Sequence, residues 1–235
     1  IRQWCLDIET YVVNNDTFDP IAYPWKMHNF FEWYNEYFYE VVVHHHGVEE
    51  KIVNPWLATK GIQTPVKMEA DHDTLHKYLD GVKDFEAQYR ALNRPAAWAP
   101  DQEANIQKVI ADLRKHLGEL CKLMGPHLAE EEKFYPGEFR DKLTLAEWKK
   151  KEGEIVKSLG LKGASQTLPH FITCMKRWNP AMVPGFLAEV PPPIRYMLNN
   201  KWLPKYHGYV RPLLEGLVND RPPPEYQESG CCSIC

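Results

Sequence analysis

Two stretches of this chain repeat one pattern of residue types that could bind a metal ion. Each has a histidine, a glutamate four positions later and a proline five positions after that glutamate. The two copies are His46, Glu50 and Pro55, and His127, Glu131 and Pro136. Side chains four positions apart lie on one face of a helix, about one turn from each other. An imidazole and a carboxylate placed in this way can hold one metal ion together. The repeat therefore predicts a metal site between packed helices.

A third pair has the same spacing, because His76 follows His72 by four positions. Mixed imidazole and carboxylate ligands suit iron, manganese or zinc better than calcium or magnesium. A buried ionised glutamate is costly without a partner, and two carboxylates that can bridge predict two metal ions. A single histidine on a helix is more often a core or surface residue than a ligand, so the prediction rests on the repeated pairs. His44 and His45 fall on other faces of their helix and are interpreted as surface or supporting residues.

The candidate ligands lie in segments with helical periodicity. Two of these segments cover residues 26–53 and 66–92, and a third begins near residue 101. The third is the clearest, because its apolar residues alternate steps of three and four, as in helix bundles. Asp101 is expected to cap its N-terminus. Pro55 is expected to end the first helix, and Pro126 to kink the third.

The remaining segments are less regular. The segment of residues 1–13 fits either a helix or a strand, and residues 141–152 fit a charged, solvated helix. A loop is expected at residues 160–165, and short helices broken by prolines at residues 166–220. We therefore divide the chain into an N-terminal segment, a metal-binding bundle, a helical extension and a flexible tail. Their bounds are residues 1–25, 26–140, 141–220 and 221–235.

Composition excludes several classes of function. Hydrophobic residues make up 44% of the chain, which is enough for a core, and the net charge is −4 with no basic cluster. Nucleic-acid binding is therefore not expected. No apolar run reaches membrane-spanning length, and no signal peptide is apparent. Three of the six cysteines crowd the last five residues, which is not a disulfide framework. A reducing, cytoplasmic location is expected.

These motifs resemble those of the hemerythrin-like, or HHE cation-binding, domains over roughly residues 26–140. The matching stretches are Met27-His28-Asn29, the run from His44 to Glu50 with Pro55, Asp71-His72 with Leu75, and His127-Leu128 with Glu131 and Pro136. The resemblance implies an all-α fold, an antiparallel four-helix bundle holding two non-haem irons with oxo and carboxylate bridges. The proline-rich helical part that follows is similar to extensions of eukaryotic members.

The resemblance also implies a set of ligands. The implied iron ligands are His46, Glu50, His72, His127 and Glu131, with the two glutamates bridging. His76 falls where the oxygen-carrying hemerythrins have a further ligand that many HHE domains lack.

His28 matches the ligand of the family's first helix but departs from its spacing. Only 18 positions separate it from His46, with no glycine or proline between them. In one straight helix the two would lie about 27 Å apart along the axis. Three explanations stay open: a stretch of the first helix is missing, the chain bends near Asn35, or residues 1–13 supply a helix without a histidine. Without His28, one iron would lose a ligand.

The implied function is binding or sensing of oxygen or a related small molecule, or iron handling. The alternatives are a di-iron oxidase or a peroxide- or nitric-oxide-consuming enzyme, and a scaffold stabilised by its metal, with zinc or manganese possible. From the helical phase, Glu50→Ala and Glu131→Ala should lower the metal content, whereas Glu49→Ala and Glu132→Ala should not.

The last four residues match a lipidation motif. In Cys232-Ser233-Ile234-Cys235, Cys232 would be prenylated. The adjacent Cys231 could carry the second lipid that stable membrane attachment needs. The alternatives are a disordered tail with reactive thiols and a cluster of cysteines that handles metal.

Overall fold

The computed structural model describes residues 1–92 and 100–223, with the side chains of Pro100 and Asp101 outside the description. Every regular element among these residues is helical, which confirms the all-α class. We number the main helices in chain order. They are α1 (residues 2–13), α2 (residues 25–58), α3 (Val66–Ala91), α4 (Pro100–Lys142), α5 (Leu145–Trp178), α6 (Val183–Glu189) and α7 (residues 192–215). Single 3₁₀ turns, Pro180–Met182 and Gly216–Val218, precede α6 and follow α7.

Three helices contain wider, π-helical turns. These are Glu9–Val13 in α1, Tyr34–Tyr39 and Glu49–Val53 in α2, and Leu198–Trp202 and Tyr206–Val210 in α7. A π turn bonds residue i to residue i+5, so it takes up more residues than the 3.6 of an α turn. Each of these turns therefore changes which residues of its helix face the core.

Three prolines inside α2 and α7 each follow a π turn. Pro55 comes two residues after the turn Glu49–Val53, and Pro204 and Pro212 stand in the same relation to the two turns of α7. A proline lacks the N–H that an α turn needs, and its ring clashes with the carbonyl four residues earlier. A wider turn accommodates both defects. This explains why α2 continues to Ala58, although the sequence predicted that it would end at Pro55.

Two other segments in which interruptions were expected are helical almost throughout. Helix α4 continues through Gly125 and Pro126 without unwinding, and the kink expected there stays a prediction. The loop expected at residues 160–165 is reduced to Gly160, which has φ 60° and ψ −173° inside α5. A positive φ costs glycine little, so one residue makes the break and the helix resumes at once.

Helices α1 to α4 share one apolar core. It includes Ile8 of α1, Phe38 of α2, Leu79 of α3 and Leu117 of α4, each fully buried. The end of α7 joins this core through residues such as Leu214. A smaller cluster around Leu57 lies between the end of α2 and the second half of α4. The candidate ligands fall between these two clusters along α2 and α4.

The N-terminal segment, for which the sequence allowed a helix or a strand, is helical. It packs on α4, where Arg114 donates hydrogen bonds to the carbonyl of Val13 at 2.8 Å from Nη2. The thiol of Cys121 in α4 also lies 3.6 Å from the carbonyl oxygen of Cys5. None of the helices in the described part of the chain is both long enough and apolar enough to cross a membrane.

Candidate metal centre

Four buried side chains from three helices converge at one point. Glu49 of α2, His72 of α3, and His127 and Glu131 of α4 each offer one donor atom, and these atoms all lie within 4.8 Å of one another. A second group, formed by His46, His72 and His127, meets the same criterion. The two groups share their α3 and α4 histidines, so they describe one centre.

The two buried carboxylates each face two sides. Glu131 places Oε1 2.7 Å from Nε2 of His127 and Oε2 3.5 Å from Nε2 of His45. Glu49 places Oε2 3.3 Å from Nε2 of His72 and Oε1 3.6 Å from the same nitrogen of His45. Each carboxylate therefore has one oxygen towards the α3 and α4 histidines and one towards His45. Carboxylates arranged in this way can bridge two cations.

Several of these donor atoms are buried without a hydrogen bond of good geometry. They are Nε2 of His45 and His46, both ring nitrogens of His127, Oε2 of Glu49 and Oε1 of Glu131. Buried polar atoms nearly always have a partner, and a cluster of exceptions needs an explanation such as a bound ion. The donors are imidazole nitrogens and carboxylate oxygens, which fit iron, manganese or zinc. The residues present thus fit a metal centre.

Further polar side chains lie at hydrogen-bond distance from the outer nitrogens of two histidine rings. Oε1 of Glu50 lies 2.9 Å from Nδ1 of His72, and Nε2 of His76 lies 3.0 Å from Nδ1 of His46. Such partners fix the orientation of a ligating ring and increase its basicity. The structure therefore places Glu50 and His76, two residues predicted to be ligands, beside the histidines rather than in the group of four.

The charges around Glu131 favour the forms that bind metal. Burial alone would raise the pKa of its carboxyl, but His127 and His45 outweigh burial and hold that pKa well below its ordinary value. Burial and the surrounding imidazoles lower the pKa of His46 to about 2. The carboxylate is therefore ionised, and the His46 ring is neutral.

His45 and His72 respond in the opposite direction. Burial would lower the pKa of both rings, but the nearby carboxylates, Glu131 and Glu49 for His45 and Glu49 and Glu50 for His72, raise it. The buried carboxylates therefore favour the protonated form of both rings. Metal binding would replace these protons, as is usual for imidazole ligands.

The sequence pattern selected Glu50, whereas the structure brings Glu49 into the centre. In α4, Glu131 and Pro136 are five positions apart, but in α2 the glutamate of the centre, Glu49, lies six positions before Pro55. The extra residue belongs to the π turn that begins at Glu49. Counted from the converging glutamates, the two copies therefore differ by one residue in their spacing to the proline. His45 and Glu49 are four positions apart, as are His127 and Glu131.

His28 lies outside both groups of converging donors. Its side chain is 63% exposed, and its Nε2 is 3.7 Å from a carboxylate oxygen of Glu32, one turn away on the same helix. We expect His28→Ala to leave the metal content unchanged, measured by elemental analysis after desalting. His72→Ala serves as the positive control and should lose metal. Loss of metal in His28→Ala would show that α2 is arranged differently from this structure.

Two predictions fall on residues beyond the description. Cys231 and Cys232, the proposed lipidation sites, lie outside the described residues, as does the side chain of the predicted cap Asp101. The ligand assignment itself stays a prediction, which the substitutions proposed below would test.

Comparison with protein families gives one match, and it agrees with the motifs. Residues 15–118 match the family model described as the hemerythrin HHE cation-binding domain. The matched range includes Glu49 and His72 and ends before His127. Searches of the curated proteins and of the solved structures found no significant match. Residues 15–118 are thus similar to the hemerythrin HHE cation-binding domain, as the sequence resemblance predicted.

Proposed function

We propose that this protein binds two iron ions between α2, α3 and α4 and uses them to bind or sense oxygen or a related small molecule. The observation that carries the proposal is the pair of buried carboxylates, Glu49 and Glu131, each with one oxygen directed to either side of the centre. The match to the HHE cation-binding domain supports a cation as the occupant. Iron handling is the related possibility for the same site.

The chain's own residues would divide into two sets of ligands. His46, His72 and His127 would hold one cation, and His45 the other, with Glu49 and Glu131 shared between them. Bound iron would supply a redox-active centre able to take up a small molecule at a free coordination position. The His45 side has fewer converging protein donors than the opposite side among the described residues, so it is the side with room for such a molecule.

We also propose that α1 to α4 form the four-helix bundle implied by the resemblance. Their shared apolar core supports this arrangement. In it, α1 takes the place of the helix that carries a histidine ligand elsewhere in the family, and α1 contains no histidine. Residues after α4 would form the helical extension.

Elemental analysis and an optical spectrum recorded with and without oxygen test the proposed function. We expect two irons per chain and a spectrum that changes reversibly as oxygen is removed and returned. Zinc alone would contradict the oxygen-binding function and leave a metal-stabilised scaffold. Sustained consumption of peroxide or nitric oxide by the iron-loaded protein would instead favour the enzyme alternative.

Lipid attachment at Cys232 is a separate proposal that rests on the last four residues alone. It would place the protein at a membrane surface without a spanning helix. The peptide that carries Cys231 and Cys232, taken from protein purified from its own cells, should then carry one or two lipid groups. An unmodified mass for the intact C-terminus would contradict it.

A further inference from the structure

A charged cleft with a volume of about 530 Å³ lies between α2, α5 and α7. Three lysines line it, Lys162 of α5 and Lys201 and Lys205 of α7, together with one carboxylate, Glu36 of α2. None of its lining residues belongs to the metal centre. The cleft therefore gathers positive charge at a concave site separate from the metal ligands.

The sequence around the cleft is basic, whereas the chain as a whole is acidic. Residues 155–214 contain eight lysines and arginines and a single acidic residue, Glu189. The whole chain has 28 lysines and arginines against 32 aspartates and glutamates. These residues lie beyond the range that matches the HHE cation-binding domain. Such an uneven distribution of charge along a chain is typical of proteins that bind an anionic partner.

Neighbouring carboxylates offset the charge of the three lysines only in part. Glu40, which does not line the cleft, lies 3.9 Å from Nζ of Lys162, and both side chains are exposed, so this pair is weak. Neither Lys201 nor Lys205 forms an ion pair with a residue that the structure describes. Like charges around one cleft repel each other, and a bound anion would offset that repulsion.

The walls of the cleft are built from π turns and a buried amide. Residues of three π turns line it, namely Tyr34–Tyr39 of α2, and Leu198–Trp202 and Tyr206–Val210 of α7. Wider turns inside helices are frequent at functional sites. Gln166 of α5 also lines the cleft, is 7% exposed and donates a hydrogen bond from Nε2 to the carbonyl of Glu36. This bond joins α5 to the π turn of α2, which fixes two walls of the cleft relative to each other.

We propose that this cleft binds a phosphate monoester, with the phosphate group among the three lysines. A phosphate monoester carries nearly two negative charges at neutral pH and has three oxygens that accept strong hydrogen bonds. Three lysines and Glu36 leave two positive charges in the lining, which match that anion. A carboxylate has one charge and two oxygens, so it complements three ammonium groups less well.

The size of the cleft requires more than a phosphate ion. Its volume lies in the range of about 300–1,000 Å³ that is typical of sites for small organic molecules. Trp202, Met197 and Val210 line it beside the lysines. The organic part of the ligand therefore lies against these aromatic and apolar side chains.

Calorimetric titration of the full chain with phenyl phosphate, phenyl sulfate and inorganic phosphate tests the proposal. Phenyl phosphate should bind. Phenyl sulfate has the same aromatic ring but a single negative charge, so it should bind at least tenfold more weakly. Inorganic phosphate lacks the organic part and should also bind at least tenfold more weakly.

Charge reversals inside and outside the cleft locate the site. Lys201→Glu and Lys205→Glu reverse lysines of the lining, whereas Lys157→Glu and Lys176→Glu reverse exposed lysines of α5 outside it. All four variants change the net charge of the chain by the same amount. The first two should weaken the binding of phenyl phosphate at least tenfold, and the other two should leave it unchanged. Lys205 is exposed, so its variant should fold even if Lys201→Glu does not.

Vesicles distinguish the two sources of such a phosphate group. Phosphatidylcholine vesicles are prepared with and without phosphatidic acid, whose headgroup is a phosphate monoester, and are sedimented with the protein. Binding that requires phosphatidic acid and is lost in Lys205→Glu would assign the cleft to a lipid headgroup. Binding of phenyl phosphate without binding to vesicles would assign it to a soluble metabolite. Both results support the site.

Three results would overturn the inference. They are a lack of binding to both phenyl phosphate and phosphatidic acid, equal binding of phenyl sulfate and phenyl phosphate, and equal weakening by the reversals outside the cleft. The last would show general attraction to the basic region rather than a site. Since the lining and the metal centre share no residue, metal-free and metal-loaded protein should bind phenyl phosphate equally. Failure of this inference is therefore distinguishable from failure of the proposed function.

Discussion

Glu49→Ala is expected to remove the metal from this protein, whereas Glu50→Ala is expected to weaken its binding and leave the site able to fill. Glu49 is buried among the converging donors and faces both sides of the centre. Its loss would remove one of the two buried carboxylates of the centre and leave Glu131 alone. Glu50 is exposed and reaches only the outer nitrogen of His72. Loss of such a supporting group typically lowers metal affinity about 10–100-fold.

Metal content after desalting and a competition titration with a chelator would measure both effects. Glu132→Ala is the matched control, because Glu132 is an exposed glutamate next to Glu131 that pairs with Arg2. It should retain the metal content and affinity of the unchanged protein. This result would replace the expectation from helical phase, in which Glu50 was the ligand and Glu49 was not. Loss of metal in Glu50→Ala with retention in Glu49→Ala would restore that expectation and contradict the structure.

Removal of the metal is expected to destabilise the fold by about 4 kcal/mol when the free metal had been held near 1,000 times its dissociation constant. For a chain of this size, each kcal/mol shifts the melting temperature by about 2–4 °C, so the midpoint should fall by roughly 8–16 °C. The physical reason is that a cation bound by the native state stabilises that state alone. Thermal unfolding of metal-loaded and chelator-treated protein, followed by circular dichroism, would measure this difference.

A double variant provides the control for that measurement. In His127→Leu with Glu131→Leu, a buried imidazole and a buried carboxylate are replaced together, so neither is left without its partner. Replacing both members of such a pair is far less costly than removing one. The variant should therefore fold, bind little metal and melt at the same temperature with or without chelator. A variant that still melts lower after chelation would show that the stabilising ion is held elsewhere.

The type of fold and the general position of the site were predictable from the sequence. Each histidine–glutamate pair lies within one helix, and helical periodicity placed α3 within a residue of its bounds. The His127 and Glu131 pair lies in a regular α-helix, so the four-residue rule described it well. The buried pair of histidines from α3 and α4 also converges as expected.

The details of α2 were not predictable in the same way. The segment Glu40–Val48 of α2 is a regular α-helix, so the spacing of 3.6 residues per turn applies between Val42 and His46. A wider turn begins at Glu49, and the same spacing does not apply beyond it. No rule based on residue types distinguishes Glu49 from Glu50, since both are acidic and adjacent. The signal that could have been used is the spacing to proline, which differs by one residue between the two copies when His45 is taken as the first histidine.

The hydrophobic pattern of the N-terminal segment also did not predict that the segment is helical. Residues 1–13 mix polar and apolar side chains and were compatible with a helix or a strand. Their helical state depends on packing against α4, through contacts such as those of Cys5 with Cys121. Contacts between residues more than one hundred positions apart leave no local trace in the sequence. In residues 192–215 the sequence predicted short helices broken by prolines, whereas the wider turns accommodate these prolines within one helix.

The π turn at Glu49–Val53 is followed by Pro55, a residue outside the metal centre. Through this turn, Pro55 influences which glutamate of α2 faces the centre. Pro55 has no N–H to close an α turn, and the wide turn before it accommodates this defect. A chain that lost this proline would be free to adopt regular α geometry, which rotates the segment before it relative to Leu57 and the small apolar cluster. Substitution at Pro55 and at Glu49 should therefore be constrained together during divergence. Relatives that lack the proline should carry their glutamate one position nearer to the end of the helix.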